Sequence, residues 1–171
     1  MSIKVTVKVP GIDRMRKALV NNPRLSTSIA KAWSTLYRAF IRQRFHKFSR
    51  GGGDWAPLKA STLKRRRKGK GTGEAAILRD TGALFAALQP TTGFEGLIQS
   101  TPRPLGFTAF LGGGKSYKTG ATLVQIAEYH HFGEGRLPAR AILVQPDITV
   151  IDRMGKVGVK ILTDELNGGQ S

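Results

Sequence analysis

The chain reads as a single α+β domain in which one long helix packs on a small curved antiparallel sheet, with short helices at the periphery. Three observations carry that reading. Asn22 to Phe48 is the longest run with helical apolar spacing; Ile3 to Val9, Phe94 to Ser100 and Leu105 to Leu111 carry strand signals; and the segments between them are short and punctuated by glycine and proline. At 171 residues and 40% hydrophobic content the chain suffices for one real core, and two full domains are not expected.

Residues 1–22 hold a strand and a short helix. Ile3, Val5, Val7 and Val9 alternate with Lys4, Thr6 and Lys8 until Pro10-Gly11, the period-two pattern of a half-buried strand. Ile12, Met15 and Leu19 would form one side of a short helix, which Asn21-Asn22-Pro23 closes. The long helix then occupies 23–50. Asn22 is its N-cap and Pro23 its first residue, where the missing N–H costs nothing. Its length of about 25 residues gives a rod of roughly 37 Å. Leu25, Ile29, Ala32, Trp33, Leu36 and Phe40 form one ridge; Tyr37, Ile41, Phe45 and Phe48 form a second, about a third of a turn away. One partner does not cover both. Intrachain packing competes with subunit contact for the second ridge, which we assign to a subunit interface. Arg24, Lys31, Arg38 and Arg42 line the opposite side, as a solvated face or an anion contact.

Residues 51–76 begin with Gly51-Gly52-Gly53, followed by Asp54-Trp55-Ala56-Pro57-Leu58, in which Trp55 can pin a loop to the core. Ser61 would cap a short helix carrying Leu63. That helix enters Lys64, Arg65, Arg66, Arg67, Lys68 and Lys70, six positive charges in seven residues, expected to be exposed and available to phosphates or to an acidic protein. No aromatic is interleaved there to stack on bases, so contact with nucleic acid would lack base readout.

In residues 77–145, Asp80 or Thr81 would cap a helix with Leu84 and Leu88 inward. Two strands follow, joined through Thr101-Pro102-Arg103-Pro104, then a glycine-rich loop from Gly112 to Gly120 that is basic through Lys115 and Lys118. Leu123, Ile126, Ala127 and His130 share a face of a helix ending at Phe132-Gly133. Leu137 to Val144 reads as a proline-entered strand with Arg140 at its mouth, pairing with a carboxylate inside the fold or across an interface. Residues 146–166 start with Pro146-Asp147 as a cap and continue as a helix, or as a helix and then a strand, because Gly155 and Gly158 disfavour a helix interior and Val157, Val159 and Ile161 alternate. Residues 167–171 form a frayed tail.

The balance of 28 Lys and Arg against 11 Asp and Glu gives a net charge of +17, which points to an anionic partner or surrounding. No cysteine is present, which excludes disulfides and cysteine-based zinc sites. No apolar run reaches a membrane span and no secretory signal opens the chain, so a cytoplasmic setting is expected. His130-His131 is the most enzyme-like feature, but with His46 the only other histidine a metal site would need carboxylates from elsewhere. Helix-end histidines donating to backbone carbonyls is the simpler reading. Asp80 has no second carboxylate or base near it in sequence, so no catalytic residue, cofactor or metal is expected.

Four motifs in order are Trp55-Ala56-Pro57-Leu58 with Thr62-Leu63 and arginines; Ile77 to Leu84 with Asp80-Thr81-Gly82; Ala127-Glu128-Tyr129-His130-His131-Phe132-Gly133; and Leu137-Pro138-Ala139-Arg140-Ala141-Ile142-Leu143. In that order, over residues 25 to 165, the chain resembles the phage virion morphogenesis or tail-completion (head-tail joining) family. It departs from the family pattern in carrying Ala86-Ala87 where a serine usually follows the Thr-Gly-x-Leu element, Ile142 where a phenylalanine is usual, and a richer basic loop. The resemblance implies a non-enzymatic structural subunit of a tailed phage, at the head-tail junction or tail top, needed for infectious particles. It implies a homo-oligomeric ring, hexameric, touching other neck, connector and tail proteins, with DNA passing through. The setting would be the virion, after assembly in the host bacterial cytoplasm. The competing expectation is a free-standing, sequence-nonspecific nucleic-acid-binding protein.

Overall fold

The computed structural model describes residues 3–9, 19, 21–66, 75–80, 82–88, 97–103, 106–112 and 121–168. Among these, five helices accompany a three-stranded antiparallel sheet, an α+β architecture with the long helix on the sheet. The strands are β1 (Lys4–Lys8), β2 (Ile98–Arg103) and β3 (Gly106–Leu111); the helices are α1 (Pro23–Ser49), α2 (Ala60–Arg65), α3 (Ala83–Ala87), α4 (Leu123–Phe132) and α5 (Ile148–Gly168).

The sheet runs β1-β3-β2. Val5 stands opposite Ala109 and Val7 opposite Phe107, while Ile98 faces Leu111 on the other edge of β3. Val7, Phe107, Ala109 and Leu111 are buried, as the alternation in β1 requires. β2 includes Thr101, Pro102 and Arg103, which the sequence placed in the connection, while Phe94, Glu95 and Gly96 of the expected strand lie outside the described residues. Pro102 is tolerated because β2 is an edge strand.

α1 starts where the sequence put it. The Asn22 side chain accepts from the Leu25 N–H at 3.1 Å, and Pro23 is the first helical residue. Most of its buried residues form one i+4 row, Leu25, Ile29, Trp33, Tyr37, Ile41, Phe45 and Ser49, with Ala30 and Ser34 buried beside it. Such a row rotates around the helix by roughly 40° per step, so over the length of α1 it turns past successive partners. Trp33 meets α5, donating its indole N–H to the Met154 carbonyl at 2.6 Å. Tyr37 lies edge-on to Phe107 of β3 with ring centres 5.5 Å apart. Phe45 packs edge-on against Trp55 at 5.2 Å and against Phe85 at 5.7 Å.

This corrects the subunit-interface assignment of Tyr37, Ile41, Phe45 and Phe48. Tyr37 is 0% exposed, Ile41 and Phe45 are as deeply buried, and half-buried Phe48 lies edge-on to Trp55. The two ridges read from sequence are one spiralling row, completed within the chain. Leu36 and Phe40, placed on the first ridge, are only half-buried at its border.

Three other expectations change. Residues 137–144 are not a strand: their backbone bonds go to side chains and to α4, since Arg44 donates to the Ala141 carbonyl at 2.6 Å, Tyr37 to that of Val144 at 2.9 Å, and the Arg140 N–H reaches the His130 carbonyl at 2.7 Å. Ser61 does not cap α2, whose N-cap is Lys59, and Asp80 does not cap α3, which follows Gly82 with a positive φ of 75°. The proposed helix from Ile12 falls outside the described residues apart from Leu19, which is buried.

α5 is helical throughout, started by the Asp147 side chain accepting from the Val150 N–H at 2.9 Å. Gly158 explains why the glycines are compatible with helix. A β-carbon there would stand 3.0 Å from the Trp33 ring, so glycine allows the two helices to approach. The close helix-helix contact offsets the propensity cost of about 1 kcal/mol that made the second half of α5 look strand-like.

Candidate functional site

The four motifs converge on one cleft of about 760 Å³. Pro57 and Leu58 form part of one wall, Leu78 and Asp80 another, Ile126 and His130 of α4 a third, and Pro138 and Arg140 close it. Long-range hydrogen bonds knit these segments together. Ile77 N–H binds the Ser49 carbonyl at the end of α1 at 2.8 Å, and Arg140 donates through Nε at 3.3 Å and Nη2 at 2.9 Å to the Ala56 carbonyl.

α4 brings His130 to this place. Thr122 and Gln125 form a reciprocal capping box at its start, and Gly133 ends it in the left-handed conformation with φ 74°. A side chain at Gly133 would meet the backbone of Ala139, so glycine is required both for the turn and for the return of the chain alongside α4. That return puts Arg140 beside His130.

The cleft is strongly cationic. Lys59, Arg65, Arg66, Arg136 and Arg140 line it against a single carboxylate, Asp80. Asp80 is held by Arg66, whose Nε stands 3.2 Å from its carboxylate and whose Nη1 donates to the Ala76 carbonyl at 2.7 Å. Arg140 is 4% exposed and no carboxylate pairs with it among the described residues. Burial, and then the nearby Arg66 charge, lower its pKa from the ordinary arginine value, though a guanidinium stays protonated in proteins. Burial, with Arg140 and Arg66 adding to it, pushes His130 down to about 4, so its imidazole is neutral at pH 7. Its Nδ1 is shielded from solvent without a hydrogen-bond partner among the described residues. His131 is also lowered, first by burial and then by Arg44, and its Nδ1 accepts from the Ile142 N–H at 3.1 Å. His131 therefore acts as an acceptor and His130 as a neutral ring with an unpartnered Nδ1 among the described residues, where the sequence suggested donors to carbonyls.

Leu78 adds a backbone outlier. It is a buried non-glycine residue with φ 59° on the cleft wall, a conformation costing about 1 kcal/mol or more for a branched side chain.

The remaining sequence-selected residues divide clearly. Trp55 stands behind the wall, buried against Phe45 and Phe48. Gly82 precedes α3 and Thr81 lies outside the described residues. Tyr129 and Phe132 are exposed on α4 and do not line the cleft. Within the basic run, Lys64 and Arg65 belong to α2 and are exposed, whereas Arg66, taken as part of a solvated loop, is turned inward with its side chain 9% exposed; Arg67, Lys68 and Lys70 lie outside the described residues. Asp80 supplies an attractive partner 14 positions away from Arg66 in sequence, which charge patterning alone does not reveal. The expected carboxylate partner of Arg140 is replaced by the Ala56 carbonyl.

Arg44 was missed. It sits within the second apolar ridge, its guanidinium 4.1 Å from the Phe48 ring centre and 5.8 Å from that of Trp55, and its bond to Ala141 fixes the segment leading out of the cleft. Its spacing, three residues after Ile41 and four before Phe48, is the sequence signal for it.

A second surface is apolar. On α5, Ile148 is 75%, Val159 51% and Leu166 66% exposed, and with Ile151 and Gly155 they mark one side of the helix, rimmed by the pairs Asp152–Lys156 at 2.8 Å and Lys160–Asp164 at 3.0 Å.

No family model, curated protein or solved structure matches the chain. Among the described residues no group of three or more His, Cys, Asp or Glu could hold a metal, and no helix is long and apolar enough to cross a membrane.

Proposed function

We propose that the chain is a structural, non-catalytic subunit of a tailed phage, assembling as a hexameric ring at the head-tail junction or tail top and required for infectious particles. The observation that carries this reading is the exposed apolar side of α5, on a chain whose other long helix has its main apolar row covered within the subunit. A stripe of Ile148, Val159 and Leu166 held in water is costly unless another surface covers it, and charged pairs along its rim suit a subunit contact. A ring formed from one kind of chain needs two different complementary patches on each copy. The α5 stripe supplies one, and exposed Tyr129, Phe132 and Leu137 around the end of α4 are the candidate for the other.

The resemblance of the four motifs to the virion morphogenesis family supports the placement, and their convergence on a single cleft gives it a physical basis. Neighbouring neck, connector and tail proteins are the partners of this assembly, and the subunit enters the virion from the host cytoplasm. Sedimentation and native mass measurement of the purified chain, alone and with phage connector and tail proteins, test the reading. Assembly into a closed oligomer, or incorporation into a neck complex, is expected; a chain that stays monomeric and joins no virion component overturns it.

A second reading has its own observation. α1 contains no acidic residue, and Arg24, Lys31 and Arg42 are exposed along it. Together with the charge of +17 this suits nonspecific contact with phosphates. Tight binding of duplex DNA by free monomer, falling steeply with salt, would favour that reading over the ring.

A further inference from the structure

The cleft carries five cationic side chains and one carboxylate among the described residues. Arg140 is buried with no carboxylate paired to it among the described residues, Asp80 is already engaged by Arg66, and Arg65 and Arg136 stand exposed at the cleft. Around these charges the lining is aliphatic: Pro57, Leu58, Leu84, Leu123, Ile126 and Leu137. A volume of about 760 Å³ falls in the range of pockets that enclose a compact ligand.

We infer that this cleft receives a short acidic peptide segment of a partner protein, an Asp or Glu flanked by aliphatic residues, with the carboxylate meeting the arginines and its neighbours meeting the aliphatic walls. Burying a cation without an anion is costly, and a carboxylate delivered by a partner removes that cost while gaining charge-assisted hydrogen bonds. The neutral ring of His130 adds a polar group at the same place, its Nδ1 without a hydrogen-bond partner among the described residues.

The occupant is a peptide and not a nucleic acid for two reasons. A duplex presents its phosphates on a convex surface that could reach Arg65 and Arg136 but not Arg140 at 4% exposure. A single strand would use aromatic platforms, and among the described residues the lining contains no Phe, Tyr or Trp. The strained Leu78 belongs to the same wall, consistent with a segment shaped for binding.

The inference deepens the assembly role by naming the chemistry of one partner, but its test uses the free chain and does not require a ring. The full chain is titrated, with amide resonances followed by NMR, against acetyl-Leu-Glu-Leu-Asp-Leu-amide and its neutral counterpart acetyl-Leu-Gln-Leu-Asn-Leu-amide. The acidic peptide is expected to shift resonances of Ala83, Gly135 and Arg140 and to bind on the order of tenfold more tightly than the neutral one. The double variant Arg65→Glu with Arg136→Glu, both at exposed positions, is expected to weaken binding on the order of tenfold or more while the melting temperature holds. Arg140→Met could unfold the wall by abandoning the Ala56 carbonyl, so the exposed pair carries the test. Equal binding of the two peptides, no binding, or shifts confined to other parts of the chain overturns the inference. So does acetate alone reproducing the peptide's shifts and affinity, or a short DNA duplex displacing the peptide from these resonances. A ring that forms without peptide binding removes the inference and leaves the assembly role standing; peptide binding by a chain that never assembles does the reverse.

Discussion

The two long helices treat their apolar residues differently. Along α1 the row Leu25, Ile29, Trp33, Tyr37, Ile41 and Phe45 turns past α5, the sheet and the Trp55 segment, and each residue finds cover inside the chain. Along α5, Met154 and Gly158 face Trp33, but Ile148, Val159 and Leu166 remain outside. Two apolar sides on a helix are therefore no evidence of an interface by themselves. What separates the cases is the number of partners the rest of the fold presents to each helix.

The sharpest way to break this comparison is Phe45→Asp. Here a carboxylate would replace a ring enclosed by Trp55 and Phe85, losing the aromatic packing and burying a charge with no designed partner. A loss of about 4 kcal/mol or more is expected, seen as failure to fold or a collapsed urea midpoint. A monomer of normal stability that merely fails to assemble would return the row to the interface assignment.

Gly158→Val tests the junction of the two helices. Valine would stand against the Trp33 ring, whose position is fixed by the 2.6 Å bond to the Met154 carbonyl, so the ring has little freedom to yield. A destabilisation of about 2 kcal/mol is expected from overpacking, despite the better intrinsic helix propensity. If the variant is more stable than the parent, α5 can shift without loss and the close approach is not required.

What was legible in sequence follows the same division. The cap of α1, the alternation of β1, the left-handed end of α4 at Gly133 and the packing of Trp55 are set by neighbours within a few residues or by strong period, and the structure has them. The destination of the second ridge, the inward turn of Arg66 and the irregular path of 137–144 depend on partners far away in sequence: Phe107 for Tyr37, Asp80 for Arg66, and Arg44 and Tyr37 for the 141–144 carbonyls. The motif residues of the cleft were named singly, but their convergence needed the return at Gly133, and its charge excess needed Arg136 and Lys59, which belong to none of the positions singled out.

The cleft lies between the two extremes, being covered in part, and pH separates it from them. His130 has a folded-state pKa of about 4 against an ordinary value of 6.5, so the unfolded chain takes up the proton first as pH falls. Its contribution to stability is present above pH 6.5 and is lost progressively down to about pH 4. After allowance for the solvent that reaches the ring, about 1 to 2 kcal/mol should be lost over that window. His131 acts with the same sign, because burial and then the Arg44 charge lower its pKa, and protonating Nδ1 would also remove the acceptor of the Ile142 N–H. Urea midpoints for the parent and for His130→Gln, compared at both ends of the window, measure the His130 part; an unchanged slope would mean that the imidazole is well hydrated.

The smallest expected change in folding carries the most information about α5. Val159→Glu places a carboxylate on the outer stripe at a position half open to water, with Lys156 and Lys160 close by on the same helix. Glutamate is a better helix former than valine, so monomer stability should remain within about 0.5 kcal/mol of the parent. Assembly should respond strongly, because closing the stripe against another subunit would bury that carboxylate among Ile148, Ile151 and the partner's apolar surface. Sedimentation of the two chains under identical conditions reads the difference. If the variant sediments as the parent's closed oligomer, α5 is not the contact; if it is a folded monomer where the parent is a ring, the contrast between the covered row of α1 and the open stripe of α5 is what makes this chain an assembling subunit.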